Sequence, residues 1–459
     1  MRYGSSTIFS ENIKSFCDRK FRVFTERNID EITQLKHIPE DELQSMKIVA
    51  MVFPFRVNNY VIDELINWEN IPADPIYQLT FPQKGMLTED DFNALKKLID
   101  EDASVDDIQK EVKRIRFQLN PHPAGQLDMN VPRLDGEPLF GMQHKYNETV
   151  LFFPSQGQVC HSFCTFCFRW AQFIGESELR FGTKEADSLH RYLRENKQVT
   201  DLLMTGGDPM VMKTKYLENY LTPLLSSEYD HIQSIRFGTK ALTFWPHRFV
   251  TDSDADSLIA LIKKLIDSGK HVAVMAHFNH WQEFSTPVVR EAIKRLRDAG
   301  VEIRSQAPLV ANINDSADIW IKMWKEQVRL GIIPYYMFVE RDTGAKAYFE
   351  LPIVKAWEIY KDAISNVSGL SRTARGPSMS AGPGKVEIQG VATIKSEKVI
   401  VLRFIQARNH EWVQKPFFAK YDENATWLDQ LKPAFGEEKF FFEEEYEHMQ
   451  LKVSENSTG

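Results

Sequence analysis

From about residue 149 onward, short apolar stretches alternate with longer stretches in which apolar residues recur every three or four positions. The first kind predicts strands and the second predicts amphipathic helices. In "DADSLIALIKKLIDSG" (254–269), Leu258, Ile262 and Leu265 mark one helical face, and Gly269 predicts the helix end. Two further helices of this design are predicted at 285–300 and 316–331. The predicted strands are 149–154, 201–206, 234–239, 271–278, 301–309 and 334–339.

This order of six strand–helix units predicts an α/β fold with parallel strands and right-handed crossovers. Six units, rather than the eight of a complete barrel, favour a partial (β/α)6 TIM-like barrel, and an open doubly wound sheet is the alternative. In either architecture, chemistry is expected at the C-terminal ends of the strands.

Three regions are predicted from the changes in pattern along the chain. Residues 1–145 form a mostly helical N-terminal region with a proline-rich linker, and 146–370 form the partial barrel. Residues 371–459 form a β-rich C-terminal extension, with a β-meander at 384–405 and an acidic tail from 435 onward.

Composition and charge exclude several classes of protein. The chain has 459 residues, 43% of them hydrophobic, and a formal net charge of −8. That charge argues against a general nucleic-acid binder, since no excess positive field neutralises phosphates. No apolar run approaches the roughly 20 residues of a membrane helix, and the polar first residues lack a signal-peptide core. We therefore expect a cytoplasmic protein that binds neither nucleic acid nor membrane.

The candidate chemistry begins with cysteine, because three of the four cysteines fall within eight residues. Cys160, Cys164 and Cys167 follow the first predicted strand. A zinc site usually takes four ligands, but His161 is too close to Cys160 to join it without strain, and Cys17 is distant in sequence. A [4Fe–4S] cluster with three protein thiolates leaves one iron open for a small molecule. A zinc knuckle, or buried cysteines that bind nothing, are the alternatives.

With Phe166 before the last cysteine, this motif resembles the signature of radical S-adenosylmethionine (SAM) enzymes. The resemblance implies that SAM binds the open iron and is cleaved to a 5′-deoxyadenosyl radical, with Phe166 near the adenine. "TGGDP" at the end of the second predicted strand is similar to the segment that holds the SAM amino group in this superfamily. It contributes Thr205, Gly206, Gly207 and Asp208.

Five segments, in this order, resemble the lysine 2,3-aminomutase family over residues 110–395: "TGGDP", "AHFNH", "NIND", "PYYMF" and "GPGKVEI". The resemblance implies pyridoxal 5′-phosphate (PLP) as a further cofactor and migration of an amino group from the α- to the β-carbon. It makes Lys385 the lysine that forms the imine with PLP. A phosphate-binding loop or a plain turn is the alternative for that segment.

The same resemblance assigns further contacts. His277 and Gln306 are expected near SAM, and Lys145 near the PLP phosphate. The second phosphate-binding position is occupied by the neutral Thr149, so that contact is in doubt. Ser316 stands where the family has a zinc-binding cysteine, and no structural zinc is expected.

The expected substrate is an acidic amino acid. Arg169 matches the arginine that pairs with the substrate carboxylate. Arg341 and Ser378 stand where lysine 2,3-aminomutase has two aspartates for a distal ammonium. A cation there repels an ammonium and suits a carboxylate, which resembles the glutamate 2,3-aminomutase branch and favours glutamate or aspartate. A shift of one residue would place Asp342 in the site and favour lysine or arginine.

Other functions remain open at this point. One alternative is a radical SAM and PLP enzyme with a different reaction or with a protein lysine as its substrate. Another is a non-catalytic iron–sulfur protein. An electron donor such as flavodoxin or ferredoxin is expected as a partner, and so is assembly into a homo-oligomer.

Overall fold

The N-terminal region consists of helices around a small two-stranded sheet. A computed structural model describes residues 20–127 and 129–457 of the chain. Strands β1 (Val23–Thr25) and β2 (Arg56–Asn58) pair antiparallel. The helices of this region are α1 (Glu40–Val52), α2 (Pro75–Thr80), α3 (Glu89–Asp100) and α4 (Val105–Gln118).

Side-chain caps explain where three of these helices begin. Asp74 accepts hydrogen bonds from the first backbone N–H groups of α2, Thr88 from that of Asp91 in α3, and Ser104 from that of Asp107 in α4. Such caps satisfy backbone donors that have no partner within the helix. The buried faces of the helices then form one hydrophobic cluster, which also takes in Trp170 and Trp245 from the rest of the chain.

One large sheet organises the remainder of the molecule. After a short hairpin of β3 (Arg133–Leu134) and β4 (Glu137–Pro138), eleven strands of the described residues hydrogen-bond in chain order. The first seven are β5 (Met142–Tyr146), β6 (Thr149–Phe152), β7 (Asp201–Met204), β8 (Ser234–Thr239), β9 (His271–His277), β10 (Glu302–Leu309) and β11 (Ile333–Val339). Strands β6 to β11 are parallel and neighbour one another in order.

These observations confirm a mixed α/β fold with a large sheet, and all six predicted strands are present. The helices between and after them are α5 (Ala186–Glu195), α6 (Thr214–Leu221), α7 (Ala241–Phe244), α8 (Ala255–Asp267), α9 (Pro287–Asp298), α10 (Ala317–Arg329), α11 (Lys346–Phe349) and α12 (Ile353–Ser365). The helices predicted at 254–269, 285–300 and 316–331 correspond to α8, α9 and α10.

The two faces of the parallel strands differ in chemistry because side chains alternate along a strand. In β10, Ile303, Ala307 and Leu309 point to the main hydrophobic core, which the helices cover. The alternate residues, Arg304 and Gln306, point to the opposite face. We call this second side the polar face; its residues used below are Asp201, Arg236, His277, Gln306 and Lys385.

A seventh parallel strand, β12 (Arg375–Ser380), follows β11 and was not predicted. Its sequence, "RGPSMS", contains glycine and proline, which are poor strand formers. The pairing with the neighbouring strand β11 stabilises this strand, although its local sequence does not favour one. Three antiparallel strands continue the sheet: β13 (Gly384–Ile394), β14 (Glu397–Ala407) and β15 (Pro416–Lys420).

The segment predicted as an acidic tail is instead packed where it begins. Phe440 and Phe442 are buried in a third hydrophobic cluster with residues of β13, β14 and β15. Helix α13 (Glu443–Ser457) follows them. The prediction missed this because the glutamates dominate the composition, whereas the phenylalanines decide the packing.

No helix in the described ranges is long and apolar enough to cross a membrane.

Candidate active site

The loop with the three cysteines, residues 158–170 and here called the Cys loop, is held in place by the N-terminal region. Backbone N–H groups of Phe163 and Thr165 donate to the carbonyls of Arg56 and Leu79 at 2.8 and 2.9 Å. The amide of Asn58, which is fully buried, donates to His161 O at 3.2 Å and Ser162 Oγ at 3.0 Å. The N-terminal region therefore acts as a support for the Cys loop, a role that its sequence did not reveal.

The three thiols of the Cys loop lie close enough to interact electrostatically. Burial, followed by the charges of Asp208 and the other two cysteines, raises the pKa of Cys160 well above its ordinary value. Burial also raises the pKa of Cys167 to about 11. Across the described residues, no three His, Cys, Asp or Glu side chains are arranged to hold a single ion. A [4Fe–4S] cluster with three protein thiolates holds each of them on a different iron, so thiols that do not converge on one ion are compatible with such a cluster.

The glycines of "TGGDP" pack directly against the start of the Cys loop. A Cβ at Gly207 would overlap the backbone nitrogen of Val159, and Gly206 has a positive φ of 133°. The backbone nitrogen of Asp208 donates to both Gly157 O and Val159 O at 2.9 Å. Thr205 continues β7 by donating from its backbone to Phe152 O at 2.9 Å. The structure thus brings Thr205–Asp208 next to Cys160.

The Asp208 carboxylate is already occupied by hydrogen bonds within the protein. It accepts from Thr239 Oγ1 at 2.6 and 2.7 Å and from the backbone nitrogens of Met210 and Lys240 at 2.9 Å. Burial, partly offset by these bonds, raises the pKa of Asp208 to about 6. Its side chain joins the loops after β7 and β8, and its predicted contact with SAM stays a prediction.

A buried ion pair that the sequence did not reveal extends this network. Lys240 Nζ donates to Glu283 Oε1 at 2.5 Å and to Asn279 Oδ1 at 2.9 Å. Glu283 Oε2 accepts from the backbone nitrogen of His280 at 3.0 Å. The pair fixes the "AHFNH" loop after β9. Its only signal in the sequence is the position of Lys240 at the end of a predicted strand.

The two residues predicted near SAM on later strands meet each other. Gln306 Nε2 and His277 Nε2 are 2.9 Å apart on the polar face. Burial and the charge of Lys240 lower the pKa of His277 to about 3, so its imidazole is neutral at pH 7. Phe166, by contrast, contacts Phe349 with ring centroids 6.0 Å apart, next to the N-terminal cluster. Its stacking on adenine stays a prediction.

Lys385, the predicted PLP lysine, is held on the polar face near the start of β13. Its Nζ donates to Gln406 Oε1 at 3.0 Å and lies 4.2 Å from the ring centroid of Tyr336. Burial, followed by the charges of Arg236 and Arg375, lowers the pKa of Lys385 to about 7. A lysine that loses its proton this easily is suited to react with an aldehyde, so this residue fits PLP.

Lys145 lies near Lys385, whereas Thr149 is engaged elsewhere. Lys145 Nζ donates to Ala381 O at 2.6 Å. Burial and the charges of Arg408, Arg341 and Lys385 lower its pKa well below the ordinary value. Thr149 Oγ1 instead donates to Asp201 Oδ2 at 2.9 Å. The doubt about position 149 as a phosphate contact is thereby strengthened.

The three predicted substrate-binding residues share an unusual property: each has a buried polar atom without a hydrogen-bond partner. These atoms are Arg169 Nη1, Arg341 Nε and Ser378 Oγ. The two guanidinium groups lie against the same ring, at 4.9 and 5.1 Å from the centroid of Phe168. Burial, with the charge of Arg341 as a smaller cause, lowers the pKa of Arg169 to about 9.

Two carboxyl groups adjoin Arg341. Burial raises the pKa of Glu340 well above its ordinary value, which disfavours its charged form. Asp342 Oδ1 lies 3.9 Å from Arg341 Nε and is itself buried without a hydrogen-bond partner. The predicted pocket therefore contains both the residue expected for an acidic substrate and the residue of the alternative.

A cavity of about 560 Å³ lies beside the Cys loop, away from Lys385. Arg56, Gln158, Phe163 and Arg180 are among its described lining residues. Since the predicted site residues do not line it, we do not identify it with the substrate pocket.

Three clustered thiols, the glycine-rich loop packed against them and the α/β sheet that carries both fit a radical SAM enzyme. No protein-family model matches the chain. A protein of Aquifex aeolicus, provisionally named L-lysine 2,3-aminomutase, is 28% identical over 88% of this chain and 95% of its own. L-lysine 2,3-aminomutase of Bacillus subtilis is 26% identical over 91% of this chain and 76% of the relative. Glutamate 2,3-aminomutase of Clostridioides difficile is 25% identical over 75% of this chain and 69% of the relative.

The chain is thus similar, over most of its length, to members of the lysine 2,3-aminomutase family of radical SAM enzymes. The family uses a [4Fe–4S] cluster, SAM and PLP, for which the thiols, the glycine-rich loop and Lys385 supply fitting groups. Among solved structures, Streptococcus suis SuiB bound to S-adenosylmethionine is 15% identical over 60% of this chain and 56% of that chain, with a TM-score of 0.34. A superposition that weak carries no argument.

Proposed function

We propose that this protein is a 2,3-aminomutase for an acidic amino acid, glutamate or aspartate. The observation that carries the proposal is the pair of guanidinium groups that lie against the Phe168 ring, each with a buried nitrogen that has no hydrogen-bond partner. A substrate with two carboxylates offers one partner to Arg169 and one to Arg341. A guanidinium matches a carboxylate with two parallel hydrogen bonds.

The charge balance of the site supports the same substrate. Several cationic groups lie close together here: the charges of Arg341 and Lys385 lower the pKa of Lys145, and the charge of Arg341 lowers that of Arg169. Burial disfavours the charged form of Glu340, so this residue offsets them less than an exposed carboxylate would. Buried charge without a partner is costly, and an anionic ligand would relieve that cost. A substrate with a distal ammonium would add to it.

Each group of the chain then has a distinct task. Arg169 orients the α-carboxylate, and Arg341 with Ser378 holds the distal carboxylate. Lys385 binds PLP as its neutral amine, and Cys160, Cys164 and Cys167 bind the iron–sulfur cluster. When bound, cluster and SAM supply a carbon-centred radical, and PLP supplies an electron-delocalising ring for the migrating nitrogen. Burial of Lys385, Arg169 and Arg341 keeps water away from that radical.

We also infer that the parallel strands form a partial (β/α)6 barrel with this site on its inner side. The strands β6 to β11 follow in chain order without the switch point of a doubly wound sheet. The helices share one core with one face of the sheet, and the site residues lie on the other. A flavodoxin or ferredoxin as electron donor, and a homo-oligomer, belong to the same proposal.

Asp342 favours a second candidate, an aminomutase for lysine or arginine. Its buried and unpaired Oδ1 is the kind of group that would receive a distal cation. Such a substrate would, however, also face Arg341, which lies within 3.9 Å of that oxygen. We therefore rank the acidic substrate first.

Substrate exchange in paired variants tests the choice. Reconstituted protein is given glutamate, aspartate, lysine and arginine, and the β-amino products are separated after derivatisation. The acidic substrate predicts that Arg341→Asp abolishes turnover of glutamate or aspartate, while Asp342→Asn leaves it intact. Loss of turnover in Asp342→Asn together with activity in Arg341→Asp would overturn the proposal in favour of a cationic substrate.

A further inference from the structure

The turn that precedes Lys385, residues 381–384 and here called the lysine turn, accepts hydrogen bonds from two cationic side chains. Lys145 Nζ donates to Ala381 O at 2.6 Å, and Arg408 Nε donates to Gly382 O at 2.9 Å. The backbone nitrogen of Arg408 also donates to Pro383 O at 3.0 Å. Strands β13 and β14 align Gly384 with Ala407, so Arg408 stands beside the lysine turn by register.

The Arg408 side chain is oriented by residues outside the segments that carried the family resemblance. Its Nη2 donates to Asn130 Oδ1 at 2.6 Å. Tyr446 of α13 interacts with the guanidinium, and its hydroxyl oxygen fills the space that a Cβ on Gly382 would take. Helix α13 is held in turn by Glu445, whose Oε2 accepts from Trp412 Nε1 at 3.0 Å. The C-terminal extension thus fixes the direction of Arg408.

These two cations, Lys145 and Arg408, have no carboxylate partner within the described residues. Burial lowers the pKa of Lys145, and Arg408 is the nearest charge that contributes to this shift. Burial lowers the pKa of Arg408 as well. Two buried cations that converge without a counterion form a site suited to a dianion. Three of the five side-chain N–H donors of Arg408 have protein partners, namely Gly382 O, Asn130 Oδ1 and the Tyr446 hydroxyl, which leaves two donors for a ligand.

The other basic group on this side of the polar face is already neutralised. Arg236 pairs with Asp201 through two hydrogen bonds, one of them from Nε at 2.8 Å, and Thr149 bonds to the same carboxylate. The neutral position 149 therefore has no charged substitute in Arg236. Arg375, the further charge that lowers the pKa of Lys385, donates to the Tyr336 hydroxyl at 3.1 Å, whereas Arg408 is the cation that converges with Lys145 on the lysine turn.

We propose that Arg408, positioned by Asn130 and Tyr446, binds the phosphate group of PLP together with Lys145. It thereby replaces a contact that Thr149 cannot make. This inference rests on the use of PLP by the protein and does not depend on which amino acid is the substrate. It also gives the C-terminal extension a task, because α13 and β14 deliver and orient the phosphate-binding residue.

The test compares PLP with pyridoxal, which has the same ring and aldehyde but no phosphate. Equilibrium binding is followed by the absorbance of cofactor attached to lysine, without SAM or substrate. The variant Arg408→Gln, whose amide can still donate to Gly382 O, should raise the dissociation constant for PLP by about 10- to 100-fold, the worth of a hydrogen bond to a charged group. Binding of pyridoxal should change by less than about threefold.

Matched variants separate the phosphate contact from a merely structural role. Arg403→Gln, on the same strand but paired with Glu387, should leave binding of both compounds unchanged. Arg408→Lys should restore part of the preference for PLP because it restores the charge. If Arg408→Gln does not fold, Tyr446→Phe provides the second variant, with a smaller loss confined to PLP.

Two results would overturn the inference. One is an equal effect of Arg408→Gln on PLP and pyridoxal, and the other is wild-type protein that binds PLP no more tightly than pyridoxal. Wild-type protein that takes up neither compound would overturn the PLP requirement of the proposed function as well. The two failures are therefore distinguishable.

Discussion

Removing the charge of Arg341 should cost this enzyme most of its activity on acidic substrates. Arg341 is buried, its Nε has no hydrogen-bond partner, and its guanidinium lies 5.1 Å from the centroid of Phe168. Methionine at this position keeps the apolar contact with that ring but cannot bind a carboxylate. The variant Arg341→Met therefore isolates the charge from the packing.

The magnitude follows from the burial of the pair. Leaving one charge of a buried ion pair without its partner costs about 3–5 kcal/mol. Since every 1.36 kcal/mol corresponds to a factor of ten in rate, kcat/KM should fall by about 10² to 5 × 10³-fold. The lower end is expected here, because the loss of Arg341 also relieves its repulsion of Arg169 and Lys145.

The assay is anaerobic turnover of glutamate and aspartate, with kcat and KM resolved. Arg329→Met, at an exposed position of α10, is the control and should keep wild-type kinetics. Arg341→Lys keeps the charge without the planar fork and should lie between the two. A kcat/KM for Arg341→Met within threefold of wild type, at unchanged iron and PLP content, would refute the assignment of Arg341 to the substrate.

Three further outcomes are expected. The rate of PLP attachment to Lys385 should rise with pH and reach half its maximum near pH 7, because the neutral amine reacts and its pKa is lowered to about 7. A midpoint near pH 10 would contradict this. The variant Lys385→Ala should show no attachment. Gly207→Ala should lose SAM cleavage, since a Cβ would overlap Val159 N, whereas Gly369→Ala, with open space around it, should not. Asn58→Ala should lower the free energy of unfolding by about 2 kcal/mol through lost buried hydrogen bonds and retain less iron after reconstitution; iron content and stability equal to wild type would show that Asn58 does not support the Cys loop.

The strand and helix pattern of the α/β part could be predicted because each element there follows its local period. Strand β12 could not, since Gly376 and Pro377 argue against a strand and the pairing with its neighbours β11 and β13 compensates. Helix α13 and the burial of Phe440 and Phe442 were hidden by the surrounding glutamates. In both cases the missing information was the contact with residues that are distant in sequence.

The residues of the candidate site also divide into those that could be predicted from the sequence and those that could not. The Cys loop could be predicted because its spacing along the chain carries the chemistry, and the "TGGDP" segment and Lys385 because they lie in segments that resemble a known family. Lys240, Asn58 and Arg408 could not, because each acts through partners that are distant in sequence. Lys240 meets Glu283 43 residues away, and Arg408 meets Asn130 278 residues away. Such pairs carry no local signature.

The central claim is that two buried arginines select a substrate with two carboxylates. The most direct measurement is anaerobic turnover of the reconstituted protein with SAM, PLP and a reductant against glutamate, aspartate, lysine, arginine and alanine. Derivatised products are separated by chromatography, because α- and β-amino isomers have equal masses. We predict a β-isomer from glutamate or aspartate alone. A β-isomer from lysine or arginine, with none from the two acids, would contradict the account.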